Sequence, residues 1–264
     1  MNHRQGLFLS ILLVAVSTCA AACAAPRPTP TRAGMFAKLG DLTEVLAVAP
    51  DGTAWIGISE IGDINFTTVT RDTAVARWDG ARWTVYTRDD GLPPGNIYTA
   101  AVAPDGTTWF GSVDGVTRYD GRFWVAYTHR NGLPKGHITH IAIAPGGTVW
   151  AATDGAASRF TGRRWKTYTA KDGVASGDMR DLAVASDGTL WFAATEGVSH
   201  FDGEAWITYT EEDGLASNTV YSIAVAPDGT LWAGTEAGAV SRFDGHAWRT
   251  STVEEIARAA AQER

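Results

Sequence analysis

Ile97-Tyr-Thr-Ala-Ala-Val-Ala-Pro-Asp-Gly-Thr-Thr-Trp109, followed by Tyr119-Asp-Gly-Arg-Phe-Trp124, is one of five near copies of the same phrase. The first Trp of each copy is Trp55, Trp109, Trp150, Trp191 or Trp232, and the second is Trp83, Trp124, Trp165, Trp206 or Trp248. Beyond the first copy the period is 41 residues, with one extra residue late in the fifth. A period of this size marks a repeat architecture. Within residues 97–136, Ile97–Ala103 reads as a strand, Pro104-Asp105-Gly106 as a turn and Thr107–Val113 as a second strand. Asp114-Gly115 turns again, Val116–Tyr119 is the third strand, Asp120-Gly121 the third turn and Arg122–Thr128 the fourth strand. Asp-Gly pairs accept the positive φ of tight hairpins, and β-branched and aromatic residues dominate between them, which excludes a helical repeat. Four short strands per period make a propeller blade.

The sequence therefore predicts an all-β chain: a five-bladed β-propeller of four-stranded antiparallel blades over 41–251, followed by a short C-terminal helix over 252–264. The blades are expected at about 41–94, 95–135, 136–176, 177–217 and 218–251. A four-stranded sheet is not stable alone, so each blade must bury its faces against its neighbours. The ten Trp residues are expected to serve that core, each ring removing ~150–250 Å² from water, worth up to about 4–6 kcal/mol. Gly57, Gly111, Ala152, Ala193 and Gly234 stand two residues beyond the first Trp, on the same face, and are expected to leave room for a large ring of the next blade.

Residues 1–22 read as an export signal: Arg4 supplies a positive start, and Gly6–Val16 is an apolar run too short to span a bilayer. Ala20-Ala21-Ala22 before Cys23 resembles a bacterial lipobox, with Ala20 where Leu is usual. Lipidation at Cys23 is expected, and ordinary cleavage to a secreted protein is the alternative. Residues 23–40 would then be a Pro/Thr-rich tether, extended and unfolded, and the chain would sit in the bacterial cell envelope on the extracytoplasmic side. Without the leader, 21 basic face 29 acidic side chains, a formal charge of −8. With no basic stripe, nucleic acid is a poor partner.

Asp213-Gly-Leu-Ala-Ser-Asn218, Ala-Pro-Asp-Gly-Thr-Leu-Trp232-Ala-Gly-Thr and Ser241-Arg-Phe-Asp-Gly resemble the two-component regulator propeller repeat. All five copies match in part, over about four-fifths of the chain. The resemblance implies an extracytoplasmic propeller for sensing or binding, whose best-known members precede a membrane helix and a histidine kinase. Neither segment is present in this sequence, so output is expected to pass through another protein.

Departures from the repeat carry the functional expectations. The first copy holds about 13 extra residues, Ser59–Asp72 closed by Thr73, with Glu60, Asp63, Ile64 and Phe66. In a propeller this insertion shares a face with the links 88–96, 129–137, 170–178 and 211–219, which carry Arg88, Asp89, His129, Arg130, Lys171, Glu211 and Glu212. Loops on a rigid scaffold commonly carry function. Where the innermost strands begin, polar residues fail to repeat: Asn96, His137, Asp178 and Thr219; then Glu44, Tyr98, Thr139, Arg180 and Tyr221; then Thr99, His140, Asp181 and Ser222. Glu44, Tyr98, His137, His140, Asp178, Arg180, Asp181 and Tyr221 form the expected ligand-binding mouth, for a protein or small ligand. A water-filled channel lined by tolerated residues is the bland reading of the same positions. His137 and His140 lie three apart on a strand and point to opposite faces, so they do not form a metal pair.

No nucleophile elbow, metal motif or phosphate loop is present, so no catalytic residue, metal or cofactor is assigned. The leading expectation is a non-enzymatic, monomeric sensor or accessory lipoprotein. A lectin with one sugar site per blade is the alternative. Propeller lyases use a channel-mouth His and Glu with a metal, and no motif of theirs is matched. Ser251-Thr-Val-Glu254 resembles a capping box opening the helix, with Val253, Ile256 and Ala260 on one side. That helix is expected to cover the joint between the last and first blades, and the ring to close by side-chain packing.

Overall fold

The computed structural model describes residues 42–59, 73–92 and 95–262. They form five four-stranded antiparallel sheets, each a simple meander of consecutive strands. Blade 1 contains β1 (Leu42–Val48), β2 (Ala54–Ser59), β3 (Thr73–Trp78) and β4 (Trp83–Tyr86). Blade 2 contains β5 (Ile97–Val102), β6 (Thr108–Ser112), β7 (Gly115–Tyr119) and β8 (Trp124–Tyr127). Blade 3 contains β9 (His140–Ile143), β10 (Val149–Thr153), β11 (Ala156–Phe160) and β12 (Trp165–Thr169). Blade 4 contains β13 (Met179–Val184), β14 (Leu190–Ala194), β15 (Gly197–Phe201) and β16 (Trp206–Tyr209). Blade 5 contains β17 (Val220–Val225), β18 (Leu231–Thr235), β19 (Ala239–Phe243) and β20 (Trp248–Thr252), and helix α1 (Val253–Gln262) follows. The architecture is the five-bladed, four-stranded propeller with a short terminal helix that the period dictates.

The first Trp of a blade packs forward onto the next blade. Trp109 meets Tyr127 of its own blade and Phe160 and Trp165 of blade 3, with ring centroids 5.9, 4.9 and 6.0 Å away. Trp150 repeats this with Tyr168, Phe201 and Trp206. Trp55 does so with Tyr86, Phe110 and Tyr119, and Trp191 with Tyr209 and Phe243. Edge-to-face and tilted contacts at these distances add to area burial. Four apolar clusters result, one at each of the joints 1–2, 2–3, 3–4 and 4–5. The space two residues beyond Trp109 is occupied differently from the sequence expectation. A Cβ on Gly111 would lie 2.7 Å from Ile138 Cγ2 and 2.6 Å from Thr99 Cγ2, so aliphatic side chains, not a ring, fill it.

The links are ordered. Each opens with a short 3-10 turn, at Arg88–Asp90, His129–Asn131, Ala170–Asp172 and Glu211–Asp213, an element the composition did not announce. The Thr before each turn and the Asp or Asn at its third position satisfy one another's backbone N–H groups, and a Gly near φ +100° ends it. That Gly lies against the fourth strand of the following blade. A Cβ on Gly132 would stand 2.2 Å from the Trp165 carbonyl oxygen, so only glycine fits. The Thr167 hydroxyl donates to the Gly132 carbonyl at 2.7 Å, and Thr208 to Gly173 and Thr250 to Gly214 repeat the clamp.

At the opposite end of the strands, Asp51, Asp105, Asp187 and Asp228 accept backbone N–H bonds in the first turn of their blades. Asp79, Asp120, Asp202 and Asp244 do the same in the third turn. Those hydrogen bonds hold all eight carboxyls below the usual carboxylate value.

Two expectations about closure are corrected. Inner strands pack in order, β1 on β5, β5 on β9, β9 on β13 and β13 on β17, but β17 does not pack on β1 in the same way. Among the described residues no apolar cluster joins blade 5 to blade 1, and Trp232 is 45% exposed with no ring partner. Ser251 also replaces the fourth-strand Tyr of the other blades there. Among the described residues helix α1 makes no extensive contact with blade 1. It contacts β20, and Val253 and Ile256 are 59% and 46% exposed. Its capping pair is Thr252 and Glu255, one residue beyond the Ser251–Glu254 pair, because the Glu255 carboxylate accepts the Thr252 N–H at 2.9 Å.

Two measurements follow from this packing. Trp191→Ala should cost about 3–5 kcal/mol in urea unfolding, as a core truncation does, while Trp232→Ala should cost less than about 1.5 kcal/mol. Deleting residues 253–264 should shift the unfolding free energy by less than about 1 kcal/mol, since the helix side chains described through Arg258 are all exposed.

Candidate functional site

In a four-stranded meander the first strand, the second-to-third turn and the outgoing link meet at one end, the link end. The first and third turns meet at the other, the turn end. At the link end the inner strands carry β-bulges. The register of β5 on β6 shifts between Ile97 and Thr99, that of β13 on β14 between Met179 and Asp181, and that of β17 on β18 between Val220 and Ser222. The residues left out of the ladder are Tyr98, Arg180 and Tyr221. A bulge re-aims its side chain. Tyr98 and Tyr221 are 38% and 49% exposed, and Arg180 is exposed as well. In blade 3 the Thr139 N–H donates to the Ala152 carbonyl at 2.9 Å, the residue that pairs with His140. The shift in β1 falls between Val45 and Ala47, and Glu44 pairs with Gly57.

The expected polar ring divides into two sets. Tyr98 stacks on His137 at 5.4 Å and 28°, and the Arg180 guanidinium donates to the Asp178 carboxylate at 3.1 Å. Tyr221, at the same bulge position in blade 5, is also exposed. His140 and Asp181 belong to the joints between blades. Asp181 accepts the Leu182 N–H at 2.7 Å and, across the joint, the Ile223 N–H at 2.9 Å. Its carboxylate is committed to stitching blade 4 to blade 5. His140 Nδ1 lies 3.1 Å from the Thr139 hydroxyl, and burial pushes its imidazole below the ordinary 6.5, against the pull of Asp181. The Glu44 side chain, together with Glu60, Asp63, Phe66 and Cys23, lies outside the described residues. Among the described residues no group of three or more His, Cys, Asp or Glu side chains is placed to hold a metal.

The turn end carries features the sequence reading passed over. The residue paired with the first Trp on the third strand is Arg77, Arg118, Arg159, His200 or Arg242. The Arg guanidinium carbons lie 5.8–5.9 Å from the Trp ring centroids, and His200 stacks on Trp191 at 4.0 Å. The signal was present as the residue before each third-strand aromatic. Between blades 2 and 3 this end opens into a cleft of about 620 Å³, and between blades 3 and 4 into one of about 240 Å³.

With this geometry in hand, similarity to known proteins is informative. Residues 214–237, the end of the last link with the first two strands of blade 5, match the family model described as two component regulator propeller. This repeat is the one whose residues carry the resemblance in the sequence. No curated protein sequence matches the chain. Among solved structures, the fold is similar to the extracellular domain of a protein assigned as a hybrid two component system from B. thetaiotaomicron. The TM-score is 0.57 at 16% identity, covering 80% of this chain and 34% of that domain. A second such domain from that organism, assigned to a one component system, gives 0.54 at 16% identity, covering 79% of this chain and 27% of the other. This chain thus spans 34% and 27% of the length of these domains. Virginiamycin B lyase from Staphylococcus aureus gives 0.54 at 14% identity, covering 81% and 88%. At such identities the likeness is one of fold.

The buried imidazole makes stability depend on pH. The unfolded chain takes up a proton near the ordinary value of 6.5, whereas folded His140 resists it. Its contribution is therefore complete above that value and is lost as pH falls below it. His200, likewise depressed by burial, has the same sign. His140→Gln should flatten the fall in urea midpoint between about pH 7 and pH 5, an effect read directly from denaturation series.

Proposed function

We propose that the chain is a non-catalytic binding propeller that works outside the cytoplasmic membrane as a sensing or accessory module. It takes a protein or small ligand at the link end. The observation that carries this reading is the set of bulges that expel Tyr98, Arg180 and Tyr221 from three inner strands at one end of the molecule. An extended ladder would leave these residues paired; the bulges spend local regularity to present two aromatic rings and a guanidinium. Rings and Arg are the side chains most often found as binding anchors. The 59–73 insertion and the links with Arg88, His129, Lys171 and Glu211 belong to the same end and would frame the partner.

The two-component regulator repeat at 214–237 and the fold likeness to extracellular domains of signalling systems support a sensing role and an extracytoplasmic address. The address is completed by the leader and by a lipid anchor at Cys23, with the tether holding the blades off the membrane. Signal output then passes through a second protein. The lectin reading requires equal sites at every joint, and the two clefts described differ in size and in charge.

The triple variant Tyr98→Ala, Arg180→Ala, Tyr221→Ala tests the reading. Each residue is exposed, so stability should change by less than about 0.5 kcal/mol per site. Binding of the envelope partner, measured by cross-linking in intact cells and then with the purified partner, should weaken at least about tenfold. Unchanged binding would remove the mouth from the function.

A further inference from the structure

At the turn end the blades are alike except for one. The first turn carries Asp51, Asp105, Asp187 or Asp228, and the third turn Asp79, Asp120, Asp202 or Asp244. Blade 3 has Gly146 and Thr161 at these places. Gly146 lies on one wall of the 620 Å³ cleft, formed by Pro145, Gly146, Gly147, Thr148, Phe160 and Gly162, and Thr161 stands between the last two of these. A Cβ at Gly146, Gly147 or Gly162 would meet nothing within 4 Å, so this wall is open backbone.

The other wall belongs to blade 2. Arg118 is half-buried, its guanidinium held over the Trp109 ring at 5.9 Å. Among the described residues it makes no ion pair, though it is close enough to Asp105 and Asp120 to help hold their carboxyls down. Asp105 stands on the same wall, its carboxylate accepting the Thr107 N–H at 2.9 Å. The cleft thus offers one oriented guanidinium, one ionised carboxylate, a Thr148 hydroxyl and bare backbone, in a volume within the ~300–1,000 Å³ of small-molecule sites. The neighbouring cleft differs: Asp187 and Asp202 stand on the wall facing Arg159, and the volume is about 240 Å³. In the larger cleft the carboxylates that would repel an anion from the facing wall are gone.

We propose that the cleft between blades 2 and 3 binds a small hydroxylated carboxylate. Its carboxylate pairs with Arg118, its hydroxyls donate to Asp105, and the Gly146–Gly147 backbone lies against it. A fixed guanidinium suits a planar carboxylate because two parallel N–H bonds can form at once. Asp105 rejects a bare fatty acid, which offers it nothing to accept, and favours a ligand with hydroxyl donors. The site is at the far end of the strands from Tyr98, Arg180 and Tyr221 and does not depend on the role given to them.

The test uses the whole chain and three probes of matched length: D-gluconate, D-glucitol and hexanoate. Calorimetric titration should detect D-gluconate, and the other two should bind at least about tenfold more weakly, the first lacking the carboxylate and the second the hydroxyls. Arg118→Gln should weaken D-gluconate by at least about tenfold, and Gly146→Asp, which restores the carboxylate of the other blades, should do likewise. Arg159→Gln and Arg180→Ala should leave it unchanged. Amide shifts of Gly146 and Gly147 on titration give a second readout that survives a loss of stability in any variant. No binding at about 20 mM D-gluconate would overturn the proposal. So would equal binding of D-glucitol, indifference to Arg118→Gln, or loss through Arg180→Ala.

Discussion

Each joint in this molecule depends on one indole ring entering the aromatic floor of the following blade. A single four-stranded sheet cannot bury enough surface to stand alone, and the first Trp of blades 1 to 4 supplies what is missing. It brings together a fourth-strand Tyr behind it and aromatic rings of the next blade ahead of it. The contact is made by shape. Among the described residues the indole N–H groups of Trp55 and of the second Trp residues Trp165, Trp206 and Trp248 are buried without hydrogen-bond partners, so geometry, not polarity, positions these rings. Everything else hangs on the joints thus formed: the links fasten to the next outer strand, Asp181 reaches across to Ile223, and the clefts exist because two blades are held at a set spacing.

The two ends of the strands are used differently. At the turn end, hairpin geometry demands Asp and Gly, and variation is confined to a few positions, so a missing Asp in blade 3 stands out. At the link end the inner strands begin, and there the ladder itself gives way. Bulges cost regular hydrogen bonding, yet they occur in β5, β13 and β17 at the same place. The scaffold is stiff enough to hold them, which is the usual condition for irregular backbone at binding surfaces.

Blade number, strand order and the roles of Asp-Gly turns could be read from the period, because repetition reports the same physical problem solved five times. The C-terminal helix could be read from its composition. Closure could not, since it depends on small angles that accumulate over four joints and leave no mark in any one of them. Trp232 is 45% exposed where Trp191 is buried, and Ser251 stands in place of the fourth-strand Tyr that packs on Trp191. The mouth was half visible. Non-repeating polar residues mark the link end, but a one-residue bulge decides whether a side chain there faces solvent or a joint. Hence Arg180 is exposed while its neighbour Asp181 is spent on backbone N–H groups. The Arg residues at the turn end repeat in four of the five blades, so they do not stand out as departures from the pattern. Their stacking on Trp is indeed shared, and only the facing wall distinguishes Arg118 from Arg159.

The glycines that end the links have a consequence for how the molecule is made. Gly132 rests on the Trp165 backbone of blade 3 and Leu133 packs in the cluster shared by blades 2 and 3, while the Gly173 and Gly214 carbonyls are clamped by the following blades. A blade emerging from the ribosome or an export channel therefore lacks both the cover for its Trp and the anchor for its link until the next 41 residues arrive. Maturation lags synthesis by one period, advancing as a front from the amino-terminal side. In blade 5 the corresponding indole, Trp232, is 45% exposed.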